Sequence, residues 1–158
     1  MRAASLRGMV SLSEDESRQA GTFRVRIPVR VYELDVQGHV NGAIYLQYSE
    51  HSRWECLRAA GVGQRALHAR GVSPVRLEET LRYHRELRAG DEVTVSCGFV
   101  WDEGRTFQVR HEFRLDDGTL VAEVTGVGGM LDLRTRRLVA DPGKHFRALA
   151  TAPELLGL

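Results

Sequence analysis

The chain has 158 residues, of which 42% are hydrophobic and 27% are charged, the composition of one globular domain with a substantial core. Twenty-two basic residues nearly balance 21 acidic ones, so the net charge of +1 gives no general attraction for nucleic acid or an anionic membrane surface. No apolar run approaches the roughly 20 residues that a membrane-spanning helix requires. We therefore expect neither a nucleic-acid partner nor a membrane.

The first part of the chain predicts an extension followed by a strand. Residues 1–22 mix Arg, Ser, Glu and Gly with scattered apolar residues and show no sustained period, which predicts a flexible N-terminal extension. Over residues 24–31, apolar residues alternate with arginines, the period of a half-buried strand. Pro28 on the polar face of this strand indicates an edge position or a bulge.

A long helix is predicted next. After a turn at Gly38, Asn41 is placed to cap a helix that runs to about Ala60, and Gly61 supplies a C-terminal stop. Apolar or small residues occupy most sides of this helix, so we expect it to be surrounded by other elements. A sheet wrapped around one central helix satisfies that expectation.

The second half of the chain is rich in strand signals. A short helix is predicted over residues 63–70, and strands are predicted over 75–85, 92–101, 106–115, 119–133 and 138–139. Turns that contain Gly and Asp separate the strands and leave no room for helical crossovers, so the fold class is α+β with an antiparallel sheet. Residues 142–158 contain two prolines and little periodicity, which predicts a surface segment.

Cysteine usage and the N-terminus predict a cytoplasmic protein. Cys56 and Cys97 have neither CxxC spacing nor a metal-ligand cluster, and no signal segment opens the chain. We expect no metal and no cofactor. The chain also lacks the GxSxG, GxGxxG, HExxH and P-loop patterns, so serine hydrolase, dinucleotide, zincin and NTPase functions have no support.

One segment places an acid beside a helix start. Asp35 lies six residues before the predicted cap, Asn41. Helix N-termini carry unpaired N–H groups and a partial positive charge, which stabilise developing negative charge. This is an arrangement that aims a carboxylate at an electrophilic carbonyl.

The same segment resembles a known signature. It contains Tyr32-x-x-Asp35-x-x-Gly38-His39-Val40-Asn41-x-x-x-Tyr45-Leu46-x-Tyr48-x-Glu50-x-x-Arg53, and a later block contains Tyr83-x-x-Glu86-Leu87-Arg88-x-Gly90-Asp91. Both resemble hotdog-fold thioesterases of the 4-hydroxybenzoyl-CoA thioesterase-like family. The resemblance covers about residues 24–147 and divides the chain into an extension (1–22), a hotdog domain (23–147) and a C-terminal tail (148–158).

The resemblance implies a fold, an activity and an assembly. The implied fold is a curved antiparallel sheet wrapped around one long central helix. The implied activity is hydrolysis of an acyl-CoA or acyl-carrier-protein thioester, without a cofactor. Such domains form homodimers, often homotetramers, with active sites at the subunit interface.

The family's reactive acid falls on Asp35, which would act as nucleophile or general base. Glu33 is the competing carboxylate, since strand alternation would place both on one side and let them divide the roles. A third interpretation gives Asp35 only a turn-forming role before Gly38.

The matching oxyanion position is Gly42, whose backbone N–H would polarise the thioester carbonyl. Many relatives carry a second Asn here, so this chain lacks a side-chain contact but keeps the backbone donor. The alternative is a simple first-turn glycine without a partner.

Several nearby residues are given supporting roles. His39 and Asn41 are interpreted as loop-fixing and capping residues, although imidazole could also contact substrate or move a proton. Tyr45 and Tyr48 are expected in the core or the pocket wall. Glu50 and Arg53 are expected to form an ion pair; they lie at i and i+3.

Coenzyme A carries phosphates, and Arg85 and Arg88 are the candidates to bind them, with Arg76 and Arg82 also in the region. A solvated strand face is an equally good explanation of these arginines. An acyl carrier protein could use the same patch.

Two other functions stay open at this point. A hotdog hydratase or dehydratase would use a His with a carboxylate across the pocket. The presence of His39 and Asp35 does not distinguish such an enzyme from a thioesterase. The domain could also be a non-catalytic acyl-thioester binding module.

Overall fold

A computed structural model of the protein describes residues 23–158, and the predicted N-terminal extension lies outside them. The described part contains five strands, β1 (Phe23–Pro28), β2 (Val72–Tyr83), β3 (Glu92–Trp101), β4 (Thr106–Arg114) and β5 (Leu120–Asp132). It also contains three α-helices, α1 (Gly42–Ala59), α2 (Gln64–Ala69) and α3 (Pro142–Leu149), and short 3₁₀ helices at Val31–Glu33 and Pro153–Leu156. None of the helices within residues 23–158 combines the length and apolar character needed to cross a membrane.

The five strands form one antiparallel sheet in the order β1-β3-β4-β5-β2. Hairpins join β3 to β4 and β4 to β5, whereas β1 and β2 lie at the two edges. The predicted antiparallel α+β layout is therefore confirmed. Pro28 ends β1 on its edge, as the sequence indicated, because proline has no N–H for a further ladder bond.

Helix α1 packs on the sheet through one face. Its fully buried residues recur at intervals of three and four, the spacing of a single helical stripe: Tyr45, Tyr48, Ser49, Ser52, Cys56 and Leu57. The opposite face is exposed at Ala43, Gln47 and His51. The five strands of one chain thus cover one side of the helix rather than surrounding it.

Both predicted helix ends are confirmed. The Asn41 side chain accepts a hydrogen bond from the Ala43 N–H at 3.0 Å, and the helix stops before Gly61, which has a φ of +83°. A side chain at residue 61 would be strained in this left-handed conformation.

The strand prediction fails at two places. Residues 31–33 form a 3₁₀ helix rather than the end of a strand, so the alternation that placed Glu33 and Asp35 on one side does not hold. Leu138 forms only an isolated bridge to Leu131 rather than a strand.

The C-terminal segment is not a surface segment, and that prediction is wrong. Phe146 on α3 is fully buried against the rings of Phe99, Trp101 and Phe107. Leu156 is also fully buried, and its carbonyl accepts a hydrogen bond from Trp101 Nε1 at 2.6 Å. Asp141 caps this helix and Pro142 follows it in the first turn, so the sequence contained a helix-start signal, but the burial of Phe146 depends on aromatic rings from β3 and β4.

Candidate active site

The loop before α1 fixes the backbone and one carboxylate oxygen of Asp35. The Asp35 N–H donates to the His39 carbonyl at 2.7 Å, and the Gly38 N–H donates to the Asp35 carbonyl at 3.1 Å. Oδ1 of Asp35 accepts from the N–H groups of Gln37 at 2.8 Å and His39 at 3.2 Å. Gly38 completes this turn with a φ of +76°, which glycine adopts without strain. Asp35 does form the predicted turn, and its Oδ2 makes no hydrogen bond within residues 23–158.

The start of α1 presents one free backbone donor. The Asn41 N–H donates to the Glu33 carbonyl at 2.9 Å, and the Asn41 side chain satisfies the Ala43 N–H. The Gly42 N–H has no acceptor in the part of the chain that the structure describes. Asn41 therefore caps the helix in a way that leaves Gly42 as the donor available to a ligand.

Asp35 and Gly42 line one open pocket of about 380 Å³. The same pocket is lined by three other residues to which the sequence gives site roles: His39, Tyr45 and Arg85. Val40, Tyr83, His84 and Glu86 complete the wall. A carboxylate and an unpaired N–H beside one cavity are the groups that acyl transfer to water requires, an acid–base or nucleophilic group and an oxyanion donor.

Glu33 occupies a different environment from Asp35. Its side chain is only 6% exposed, does not line the pocket, and accepts hydrogen bonds from the Tyr48 hydroxyl, the Arg30 N–H at 2.8 Å and Arg30 Nη1 at 2.9 Å. Burial by itself raises the pKa of Glu33, but these hydrogen bonds outweigh it and hold the pKa below its ordinary value. Glu33 is thus an ionised, fully engaged carboxylate beneath the loop.

Tyr45 forms the floor of the pocket. It is buried, packs against the ring of Phe113 at 5.6 Å between centroids, and meets Tyr83 edge to face at 5.3 Å. Burial is the main reason that the pKa of Tyr45 is raised. Both Tyr45 and Tyr48 are core residues, as predicted, but only Tyr45 reaches the pocket.

The arginines near the pocket differ in what they contact. Arg85 lines the pocket and forms no ion pair within residues 23–158. Arg88 lies outside the pocket lining and pairs with Glu86 at 2.9 Å. Arg76 also lies outside the pocket lining and pairs with Glu50 at 2.6 Å.

A second cavity lies between α1 and the sheet. Its volume of about 10 Å³ suits a single water molecule, and its lining includes Glu50, Arg53 and His111. Glu50 and Arg53 form the predicted ion pair at 2.9 Å. His111 donates from Nδ1 to the Ser96 carbonyl at 2.8 Å, and burial lowers the pKa of His111 to about 4, so the ring stays neutral.

Sequence reasoning missed three pocket residues, Tyr83, His84 and Glu86. All three lie at or just after the end of β2, which passes the start of α1. Tyr83 and Glu86 belong to the second signature block, so that block was the signal that could have found them.

Comparison with known families decides the class of the protein. The family model of the thioesterase-like superfamily matches residues 29–154, which include the loop, helix α1 and every strand except β1. The chain belongs to the thioesterase-like superfamily. Its resemblance to hotdog thioesterases is thereby confirmed.

Named relatives agree with this family. The chain is 30% identical to the chloroplastic acyl-acyl carrier protein thioesterase ATL3 of Arabidopsis thaliana over 71% of its length, and it spans 60% of that protein. It is 28% identical to the long-chain acyl-CoA thioesterase FadM of Escherichia coli over 77% of its length and 92% of that protein.

The fold is also that of a solved structure. The crystal structure of YbaW, a probable thioesterase from Escherichia coli, superposes with a TM-score of 0.73 over 82% of this chain and 99% of that chain, at 24% identity. The five-stranded antiparallel sheet with one long helix packed on it is therefore the hotdog fold.

Proposed function

We propose that the protein hydrolyses an acyl thioester, with Asp35 as the reacting carboxylate and the Gly42 N–H as the oxyanion donor. The observation that carries this proposal is the position of both groups on one pocket, each with an unpaired atom within the described residues. Glu33 is excluded from the reacting role in this proposal because its carboxylate is buried beneath the loop and occupied by Tyr48 and Arg30.

As general base, Asp35 removes a proton from water while the water oxygen adds to the thioester carbon. The carbonyl oxygen gains negative charge and accepts a hydrogen bond from the Gly42 N–H, and the partial charge at the start of α1 stabilises it further. The tetrahedral intermediate then breaks its C–S bond, and the departing sulfur takes the proton. As nucleophile, Asp35 would instead form an anhydride that water cleaves, with the same groups in place.

We propose a CoA or acyl-carrier-protein thioester as substrate, in which Arg85 meets a phosphate group. Arg85 is favoured over Arg88 because it lines the pocket and has no ion-pair partner in the described residues, whereas Arg88 is paired with Glu86. The named relatives include enzymes for acyl carrier protein and for long-chain acyl-CoA, so the carrier stays open between these two.

We further propose that the protein is a homodimer formed through β2. This strand runs for 12 residues at an edge of the sheet, where its outer backbone groups have no partner strand within residues 23–158, and Leu77 on it is 51% exposed. Long exposed edges of this kind pair with other chains. The other edge, β1, is half as long and ends in Pro28, which makes it the poorer site for strand addition.

Release of free thiol from a panel of acyl-CoA and acyl-carrier substrates tests the hydrolase. Asp35→Asn keeps the oxygen that the loop N–H groups use, so we expect an intact fold and a fall in turnover of about 100-fold or more. Asp102→Asn in the exposed β3–β4 turn is the matched control and should keep wild-type turnover.

The outcomes separate the alternatives. Binding of thioesters without any thiol release would favour the non-catalytic module. Hydration of an enoyl thioester without thiol release would favour the hydratase. Near wild-type hydrolysis by Asp35→Asn would remove Asp35 from the reacting role.

A further inference from the structure

Tyr83 and Gly42 occupy the same small region of the pocket although 41 residues separate them in the chain. A Cβ atom added to Gly42 would lie 2.7 Å from the Tyr83 hydroxyl oxygen and 3.5 Å from its Cζ. The first distance is shorter than real Cβ contacts, so the hydroxyl occupies the space that any other residue at position 42 would need. A larger residue at position 42 would therefore require the Tyr83 hydroxyl to move.

This contact brings the Tyr83 hydroxyl close to the proposed oxyanion donor. In standard backbone geometry the Cβ position lies about 2.5 Å from the amide nitrogen of the same residue. The Tyr83 oxygen is therefore at most about 5 Å from the Gly42 nitrogen. Two donors this far apart can both reach one carbonyl oxygen, since each needs a separation of only about 2.7–3.1 Å.

The Tyr83 hydroxyl is also available to a ligand. Its present hydrogen bond, to the Gly42 carbonyl, is long at 3.3 Å, and the side chain is 57% exposed. The ring also packs edge to face against Tyr45, a contact that does not depend on that hydrogen bond. A hydroxyl hydrogen rotates to suit its acceptor, so redirecting it requires no movement of the ring.

We propose that Tyr83 is a catalytic residue, whose hydroxyl donates a second hydrogen bond to the thioester carbonyl beside the Gly42 N–H. The proposal rests on the hydrolase function proposed above. It assigns to a side chain of β2 the contact that a polar side chain at position 42 would otherwise make. The donor serves mainly the transition state, where the carbonyl oxygen carries negative charge.

The test compares Tyr83→Phe, Gly42→Ala and the double variant in the thiol-release assay. Tyr83→Phe keeps the ring, so we expect KM within about twofold and kcat lowered about 10- to 100-fold, the effect of one hydrogen bond to a charged group. Gly42→Ala should also lower kcat, because its methyl group displaces the hydroxyl. The double variant should then be no slower than Gly42→Ala, since the hydroxyl is already out of place in that background.

Tyr32→Phe is the matched control, because Tyr32 is 82% exposed and does not line the pocket. Thermal unfolding of each variant separates lost catalysis from lost folding. Wild-type kcat in Tyr83→Phe would overturn the proposal. A raised KM with unchanged kcat would also overturn it, because Tyr83 would then only line the substrate pocket. If the wild-type protein releases no thiol from any thioester, the hydrolase proposal fails and this one fails with it.

Discussion

Replacing Glu33 by Gln tests whether this carboxylate supports the loop or reacts. The substitution keeps the shape of the side chain but removes its charge. The amide oxygen can still accept from the Tyr48 hydroxyl and the Arg30 N–H, and the NH₂ group then faces the Arg30 guanidinium. Two hydrogen bonds change from a charged to a neutral acceptor, and each change is expected to cost about 1 kcal/mol of stability. We assign no loss of free energy to the ion pair with the Arg30 guanidinium because that group is exposed to solvent.

The expected loss of unfolding free energy at neutral pH is therefore about 2 kcal/mol, or a fall in Tm of about 4–8 °C for a chain of this length. The pH dependence has a defined sign. Hydrogen bonds hold the pKa of Glu33 in the folded protein below its ordinary value. The ionised carboxylate therefore contributes fully to the free energy of unfolding above the unfolded pKa of about 4.3, and this contribution is lost as the pH falls through the folded pKa. Gln does not titrate, so the difference in free energy of unfolding between the wild type and Glu33→Gln should narrow below about pH 4.

Urea unfolding at a series of pH values measures this difference. Glu103→Gln on an exposed turn is the matched control, and its stability should stay within about 0.5 kcal/mol of the wild type. Turnover of Glu33→Gln should fall less than that of Asp35→Asn, because Glu33 acts through the loop and through its carbonyl bond to the Asn41 N–H. Unchanged stability together with a turnover as low as that of Asp35→Asn would refute the reasoning and make Glu33 the reacting carboxylate.

Three further variants test the substrate and the assembly. Arg85→Ala should raise KM for an acyl-CoA about 5- to 10-fold without changing KM for an N-acetylcysteamine thioester, which has no phosphate, and Arg88→Ala should have a smaller effect because Arg88 is paired with Glu86. Equal KM values for wild type and Arg85→Ala on acyl-CoA would exclude Arg85 from phosphate binding. Light scattering should give the wild-type protein twice the mass of one chain, and Leu77→Lys, which places a charge on the exposed edge of β2, should shift it towards the monomer. A wild-type protein that stays monomeric at every concentration would contradict the dimer.

Local patterns in the sequence were sufficient for the framework of the fold. The predicted bounds of β3 match the structure because turns mark both of its ends. Helix α1 begins and ends where Asn41 and Gly61 indicate, since capping and a left-handed stop depend on residues adjacent in the chain. The acid and the helix start that define the candidate site are separated by only a few residues, so their proximity was also predictable.

The division of roles between the two acids needed the tertiary structure. Glu33 and Asp35 are two residues apart and look equivalent in an alternating pattern. A 3₁₀ helix turns Glu33 towards Tyr48 on α1, 15 residues later in the chain, while Asp35 lines the pocket. The catalytic assignment itself and a cytoplasmic location stay predictions.

The sequence by itself determined the family, the order of the elements and the residues of the loop, because each of these depends on short spacings within the chain. Only the tertiary structure decided that the C-terminal segment belongs to the core and that Tyr83 fills the space beside Gly42. Both depend on contacts between residues more than 40 positions apart, such as Trp101 with Leu156. Such contacts follow from how the sheet and helix pack, and no local pattern encodes them.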